Sequence, residues 1–204
     1  MVNDKYEVVM GNSHWDSLKT IDDVMNISIP SAVTRLEAKF IYDIIRTFKP
    51  RCVVETGSGK SSLAILSALH DNGKGFLHSI DLPNLEGCRS LELNKNAVNK
   101  LWRDTLKIYP QWDIREKDIC KELPILLDEL PVVDLFFHDS RHTAEHITLE
   151  WNLLIQSKKL AAKGLFGMHD RNYKLYRKFI AELRNNKNFI SVGYYRAVEF
   201  WQNV

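Results

Sequence analysis

The feature that most constrains the fold is a regular alternation of short apolar runs and amphipathic segments between residues 51 and 185. Short apolar runs predict buried strands, and apolar residues at three- and four-residue spacing predict helices. Because strands that alternate with helices pair in parallel, the sequence predicts an α/β protein with a doubly wound, mostly parallel sheet. The predicted strands lie near 51–55, 76–81, 112–116, 131–138 and 164–169, and the predicted helices near 60–71, 88–106, 119–129, 141–158 and 173–185.

Both ends of the chain depart from this alternation. Thr34 and Glu37 have capping-box spacing, which predicts a further helix before the first strand, whereas residues 1–33 show no clear periodicity. The segment FISVGYYRAVEFWQ (189–202) has two β-rich runs around residues 193–196, which predicts an antiparallel hairpin. We therefore expect a seven-stranded sheet that ends in a hairpin, within one domain at 34–204 that follows an N-terminal arm or lid at 1–33.

Composition narrows the classes of partner. Lys plus Arg number 28 and Asp plus Glu 26, so a net charge of +2 provides no overall field for a nucleic-acid backbone. The first residues lack the pattern of a signal peptide, and no apolar run reaches the roughly 20 residues of a membrane span. Cys52, Cys88 and Cys120 have no metal-binding or disulfide-framework spacing. We expect a cytoplasmic protein that binds neither nucleic acid nor membranes.

The stretch VVETGSGKSSLAIL (53–66) places a glycine-rich loop directly after the first strand. Its GKS run at 59–61 matches the end of the phosphate-binding loop of NTPases, but the first glycine of that motif would fall on Val54, inside the strand. Glu55 also places a carboxylate where phosphate oxygens would approach. A Walker B-like run, VVDLFFHD, nevertheless keeps an NTPase or nucleotide-binding protein as the alternative.

The same loop partly fits a dinucleotide-binding fingerprint, with Gly57, Gly59 and Ser62 followed by an acid, Asp81, at the end of the second strand. Pyrophosphate would again meet the carboxylate of Glu55. A ligand with a cationic end and no phosphate fits better, and S-adenosylmethionine carries a sulfonium and an α-amino group. Glycine would let the chain turn sharply and let such a ligand approach the backbone.

On these residues the chain resembles the class I S-adenosylmethionine-dependent methyltransferases. More narrowly, it is similar to a small O-methyltransferase-like branch that carries E-x-G near the first strand and D-G-D-H-S-Y-E after the fourth. The run DSRHTAEHI matches the second motif at Asp139, His142 and Glu145, whereas Arg141 replaces its second acid. The later run GLFGMHD (164–170) is similar to the motif P-G-G-L-I-V-F-H-D of that branch.

The resemblance covers about residues 34–202. It implies a Rossmann-like fold and an enzyme that methylates a hydroxyl of a small molecule. The hairpin after five parallel strands fits this class better than dehydrogenases. By resemblance, Asp81 binds the ribose hydroxyls and Asp118 lies near the adenine, although Asp118 is also placed to cap a helix. A homodimer is a further expectation. The full set of expected cofactor-binding residues is Glu55, Gly57, Ser58, Gly59, Ser62, Asp81, Asp118 and Asp139.

Methyl transfer to a hydroxyl requires that the acceptor oxygen lose its proton, and two arrangements remain open. Asp139 and Asp170, with His169 or Asn172, could bind Mg²⁺ or another divalent cation that lowers the pKa of the acceptor. Alternatively, His142 could act as the general base without a metal. The expected catalytic residues are therefore His142 and Asp139, and the expected metal ligands are Asp139, His169 and Asp170. A structural role for His169 and Asp170, at the end of strand five, is the simpler alternative.

Three other interpretations stay open. His142, Glu145 and His146 match the H-x-x-E-H pattern of zinc proteases, although the motif here follows a parallel strand. The basic run RNYKLYRK (171–178) could bind phosphate or form a solvated helix face. A binding module without catalytic activity could also be built on the same fold.

Overall fold

The computed structural model of the chain describes residues 33–82 and 110–204, so the predicted helix at 88–106 and nearly all of the predicted arm lie outside the described residues. The helices are α1 (Arg35–Phe48), α2 (Lys60–Asp71), α3 (Ile119–Glu129), α4 (Ala144–Ser157) and α5 (Arg177–Asn185), with a 3-10 turn at Lys174–Tyr176. The strands are β1 (Cys52–Thr56), β2 (Phe76–Asp81), β3 (Trp112–Glu116), β4 (Val133–His138), β5 (Leu160–Met168), β6 (Phe189–Tyr195) and β7 (Val198–Asn203).

The strands form one seven-stranded sheet in the order β3-β2-β1-β4-β5-β7-β6. The first five strands pair in parallel, and β7 pairs antiparallel with both β5 and β6. The predicted doubly wound sheet with a closing antiparallel hairpin is therefore confirmed. The order reverses at β1, where β2 pairs on one side and β4 on the other, which is the position at which sheets of this kind bind ligands.

Local signals explain where most helices begin. Thr34 caps α1 in a capping box with Glu37, as its spacing predicts. The predicted helix at 141–158 instead begins at Ala144, because the Thr143 side chain accepts a hydrogen bond from the His146 N–H and caps α4. His142 consequently lies in the loop that joins β4 to α4.

Two strand boundaries differ from the prediction. β5 begins at Leu160, four residues earlier than predicted, and its pairing with β4 is irregular between Val133 and Leu135. The hairpin turns at Arg196 and the residue after it, where Arg196 has a positive φ of 49°. Gly193, which the sequence placed near the centre of the turn, lies within β6 instead.

Helices cover both faces of the sheet and divide the apolar core in two. α1 and α2 pack on one face of the sheet through residues such as Ile41, Ile45 and Leu66. α3, α4 and α5 pack on the other face around residues such as Leu123. Completely burying a large apolar side chain of this kind contributes roughly 1.5–3 kcal/mol. Among the described helices, none has the length and apolar character that crossing a membrane requires.

Candidate active site

The parallel strands bring the predicted site residues to one edge of the sheet, because their carboxyl ends all point the same way. The loop after β1 carries Gly57 to Ser62, and Asp81 ends β2. The other predicted site residues follow the next strands at the same edge. Asp118 follows β3, Asp139 follows β4, and His169 and Asp170 follow β5.

Gly57 and Gly59 occupy different environments in the loop after β1. Gly57 has a φ of +82°, and a Cβ atom there would lie 2.2 Å from the backbone oxygen of Asp139. Its N–H donates to the Ile80 carbonyl at 2.8 Å, so the ends of β1, β2 and β4 meet at this residue. Gly59 has an extended φ of 179°, and a Cβ atom there would meet nothing within 4 Å among residues 33–82 and 110–204. The fold therefore requires glycine at 57, whereas position 59 leaves open space beside the start of α2.

The carboxyl group of Glu55 is completely buried beneath this loop. It accepts hydrogen bonds from the hydroxyls of Ser61 and Ser62, each at 2.6 Å, and of Ser79 at 2.9 Å. Burial raises the pKa of Glu55 to about 8 even though these three hydroxyls oppose the shift. The Ser62 hydroxyl also accepts the Gly59 N–H at 2.9 Å, so Glu55 supports the loop from below. Direct contact between Glu55 and a ligand stays a prediction.

Asp81 and Ser58 join the ends of β2 and β1. The Ser58 hydroxyl donates to Asp81 Oδ2 at 2.8 Å, and the Leu82 N–H donates to Asp81 Oδ1 at 2.8 Å. Asp118 is exposed and caps α3, where its Oδ1 accepts the Cys120 N–H at 2.9 Å. The capping role of Asp118 is confirmed, and its contact with adenine stays a prediction.

The loops after β4 and β5 form a cluster of two imidazoles and two carboxylates. His169 Nδ1 lies 3.1 Å from Asp139 Oδ1 and 3.4 Å from Asp170 Oδ2. His142 Nδ1 lies 2.9 Å from the same Asp170 oxygen, and its side chain is 42% exposed. The structure thus brings together all four residues that the sequence assigned to catalysis or metal binding.

Electrostatics within this cluster follow from its paired charges. Although burial lowers the pKa of His169, the carboxylates of Asp139 and Asp170 outweigh it and raise that pKa to about 10. The hydrogen bond to Asp170 likewise raises the pKa of His142. The pKa of Asp170 lies far below its usual value because the two imidazoles outweigh its burial. Asp170 also has a positive φ of 58°, a strained conformation that is concentrated at functional sites.

The donor set of this cluster fits a divalent cation. One donor atom each from Asp139, His169 and Asp170 lies within 4.8 Å of the others. Two carboxylates and an imidazole suit Mn²⁺ or Fe²⁺ better than Mg²⁺, which prefers oxygen ligands alone. Asn172, the alternative third ligand, donates its Nδ2–H to the Arg196 carbonyl at 3.2 Å, and its Oδ1 is the atom that would bind a cation.

Sequence reasoning missed two buried acids near this edge. Glu37 Oε2 lies 4.0 Å from His169 Nε2, while its other oxygen accepts the Ala197 N–H at 3.1 Å. Hydrogen bonds from Thr34 and Ala197 lower the pKa of Glu37 against the opposing effect of its burial. The capping-box spacing identified Glu37 as a helix cap, but nothing in that local pattern indicates its approach to β5.

Glu150, the second missed acid, connects α4 to the ends of β1 and β4. It accepts hydrogen bonds at 2.6 Å from the hydroxyls of Thr56 and Ser140, and its Oε2 lies 2.8 Å from His138 Nδ1. Burial would raise the pKa of Glu150, but His138 and the other partners hold it far below its usual value. The far nitrogen of His138 contacts the Tyr176 hydroxyl at 3.1 Å, so the polar network continues beneath the β4–α4 loop.

The arrangement of the H-x-x-E-H residues argues against a zinc protease. His142 precedes α4 and its Nδ1 lies beside Asp170, whereas His146 lies within α4 with its Nε2 2.9 Å from Glu150. A protease of this kind needs both imidazoles one turn apart on a single helix, converging on one metal ion. The two imidazoles here have separate carboxylate partners.

Comparisons with known proteins agree with this architecture. A family model described as a methyltransferase domain matches residues 54–171, more than half of the chain. No curated protein sequence matches the chain.

Several solved structures share the fold at low sequence identity. A candidate caffeoyl-CoA O-methyltransferase from Staphylococcus aureus has a TM-score of 0.65 at 16% identity, covering 95% of this chain and 93% of that one. An O-methyltransferase from Bacillus cereus in complex with SAH has a TM-score of 0.64 at 12% identity, covering 91% and 90%. TomG from Streptomyces achromogenes, an O-methyltransferase of tomaymycin synthesis in complex with SAM, has a TM-score of 0.61 at 16% identity, covering 92% and 90%.

Proposed function

The chain belongs to the methyltransferase domain family, and on this premise we propose that it transfers the methyl group of S-adenosylmethionine to a hydroxyl of a small molecule. Membership of the family confirms the predicted class of enzyme, and neither the family match nor the structural neighbours support the alternative NTPase. The observation that carries the proposal is the convergence of an open glycine loop, Asp81 and the imidazole–carboxylate cluster on one edge of the sheet.

The cofactor would lie across the ends of β1 to β4. When bound, S-adenosylmethionine supplies the electrophilic methyl group. The open space beside Gly59 would admit the cofactor, and Asp81 would accept hydrogen bonds from its ribose hydroxyls. Asp118 caps α3 through Oδ1, so its Oδ2 would make the further contact with the cofactor. The buried carboxyl group of Glu55 supports the loop through Ser62. This role does not require Glu55 to be ionised.

The acceptor would bind over the cluster at the ends of β4 and β5. Because His142 Nδ1 contacts Asp170, its Nε2 is left to take the proton of the acceptor hydroxyl. Asp170 holds the ring in one orientation and stabilises the imidazolium that forms, which is the usual role of a carboxylate beside a catalytic histidine. Since Asp170 raises the pKa of His142, the neutral base becomes available as the pH rises.

Asp139, His169 and Asp170 would hold a divalent cation beside this base. A bound cation lowers the pKa of a hydroxyl that coordinates it. In the absence of a cation, the proton on His169 holds the two carboxylates together, so cation binding at this cluster would release a proton.

The proposal is tested by calorimetric titration of the purified protein, cleared of bound ligand, with S-adenosylmethionine, S-adenosylhomocysteine, NAD and Mg-ATP. We expect the first two alone to bind. Asp81→Ala should weaken S-adenosylhomocysteine by about tenfold, because each ribose contact is a hydrogen bond to a charged group. Tight Mg-ATP binding, or full cofactor affinity in Asp81→Ala, would contradict the proposal.

A second measurement tests the proposed cation site independently of the proposed general base. Loss of the free-ion signal in the electron paramagnetic resonance spectrum of Mn²⁺ reports binding without reference to turnover. We expect Asp139→Asn to abolish Mn²⁺ binding and His142→Gln to retain it while lowering methyl transfer to hydroxylated test compounds. Unchanged Mn²⁺ binding in Asp139→Asn would remove the cation from the proposal and leave His142 as the base.

A further inference from the structure

Charge is distributed unevenly along the chain, and the segment after Asp170 is strongly basic. Residues 171–196 contain seven Lys or Arg residues and one acid, Glu182. The whole chain has a net charge of only +2, so the rest of the protein is net negative. The seven basic residues are Arg171, Lys174, Arg177, Lys178, Arg184, Lys187 and Arg196. Segregation of this kind creates a local positive field without a high overall charge.

Part of this segment lines a groove of about 340 Å³ along α5. Arg171 directly follows Asp170, so the groove begins at the loop after β5, which carries two of the four residues of the imidazole–carboxylate cluster. The lining residues are Arg171, Arg177, Ile180, Ala181, Arg184 and Asn185. Three arginines and an amide provide the groove with hydrogen-bond donors, and Ile180 and Ala181 add apolar surface to its lining.

Two of the three arginines are held in place by one buried acid. Glu199, with 1% of its side chain exposed, receives Arg171 Nε at 2.8 Å and Arg184 Nη2 at 2.9 Å. The Arg171 guanidinium also lies 4.1 Å from the centre of the Tyr194 ring and donates to the Arg196 carbonyl at 3.3 Å. Such contacts fix the donors before a ligand arrives, which reduces the entropic cost of binding.

The charges facing the groove do not cancel. Arg171 and Arg184 share one carboxylate, and the side chain of Arg177 has no ion-pair partner among residues 33–82 and 110–204. Glu182, on the same helix, lies 3.9 Å from Lys178 and does not line the groove. The groove therefore retains an excess of positive charge that can be neutralised by an anion.

We propose that this groove binds an anionic group, phosphate or carboxylate, of the molecule that the enzyme methylates. Guanidinium groups match the geometry of these anions through paired N–H donors, and such charge-assisted bonds are among the strongest in proteins. Its volume of about 340 Å³ is large enough to admit one or two phosphate groups. The inference rests on the proposed function, because it places the anion on the acceptor and next to the loop after β5, whose Asp170 contacts His142.

The first test is a calorimetric titration of the enzyme, saturated with S-adenosylhomocysteine, with pyrophosphate as the probe. Wild type should bind pyrophosphate, and Arg177→Gln should weaken it by about tenfold, the usual effect of losing a charge-assisted bond. Lys178→Gln is the matched control, because it removes the same charge from the next residue, which is 90% exposed and outside the groove. Absence of binding to wild type, or equal weakening by the two substitutions, would overturn the proposal.

The second test identifies the source of the anion. Release of S-adenosylhomocysteine is measured with hydroxylated compounds in phosphorylated and unphosphorylated pairs. We expect phosphorylated members to be preferred, and Arg177→Gln to raise their KM about tenfold with a smaller change in kcat. If pyrophosphate binds but no phosphorylated member is preferred, the groove binds a free anion and its assignment to the acceptor is wrong. Failure of S-adenosylhomocysteine to bind at all would instead refute the proposed function.

Discussion

Two glycines of one loop differ in what they contribute, and substitution can separate them. Gly57→Ala places a methyl group against the Asp139 backbone at a positive φ, so it should lower the free energy of unfolding by about 2–4 kcal/mol. Gly59→Ala adds the same methyl group to open space and should leave that free energy within about 0.5 kcal/mol of wild type. Urea denaturation measures both.

The same pair also reports on the cofactor. Gly59→Ala fills space that the proposed cofactor would occupy, so its affinity for S-adenosylhomocysteine should fall although its stability does not. A Gly59→Ala protein with unchanged cofactor affinity would show that the open space at this position is not part of the site.

Glu55 should make stability depend on pH in a defined direction. Its pKa is 4.5 in the unfolded chain and about 8 when folded, so between these values the folded state retains a proton that the unfolded state has released. The contribution of Glu55 to stability is therefore complete below pH 4.5 and is lost as the pH rises to about 8. One proton gives a slope approaching about 1.4 kcal/mol per pH unit.

Glu55→Gln isolates this contribution, because the amide cannot titrate. The difference in unfolding free energy between wild type and the variant should change steadily across that range of pH, and parallel curves would show that Glu55 is ionised in the folded state.

Among the secondary-structure elements, α4 is bound to the sheet through hydrogen bonds of the buried Glu150 carboxylate. Glu150→Ala leaves Thr56, Ser140 and His138 without their partner and should cost about 3–5 kcal/mol, as removal of one member of a buried charged pair does. Glu145→Gln changes an exposed acid of the same helix and should stay near wild type. Equal unfolding free energies for the two variants would contradict the role assigned to Glu150.

The sequence predicted elements better than it predicted the contacts between them. The sequence alone predicts that Asp81, Asp139 and Asp170 lie together, because each is at or just beyond the end of a parallel strand and parallel strands end at one edge. Glu150 and Glu37 reach the same region from helices, and their approach depends on how each helix is rotated and set against the sheet, which local spacing does not specify.

The orientation of Glu55 illustrates a second limit of sequence patterns. β1 is buried on both faces, so its neighbouring residues Val53 and Val54 are both apolar and the usual alternation of apolar and polar residues is missing. The sequence therefore located Glu55 at the strand end without indicating that its carboxyl group faces the serines of α2. The direction in which the Glu55 carboxyl group points is determined by the packing of α2 on the sheet, which the local sequence pattern does not specify.

For the whole molecule, a ligand that binds only the folded state should stabilise it by mass action. S-adenosylhomocysteine at a hundred times its dissociation constant should add about 2.7 kcal/mol to the free energy of unfolding. The same concentration should add less to Asp81→Ala, and a Mg-ATP control should add nothing. A thermal melt with each ligand checks this, and equal stabilisation by Mg-ATP would be contrary to the proposed function.

The contact between Glu37 and His169 connects the start of α1 to the end of β5. Thr34 is bonded to Glu37, and Glu37 lies beside the imidazole of His169. The start of α1 is thus one side chain away from the imidazole–carboxylate cluster. A substitution at Thr34 should therefore affect two places at once, the N-terminus of α1 and the surroundings of His169.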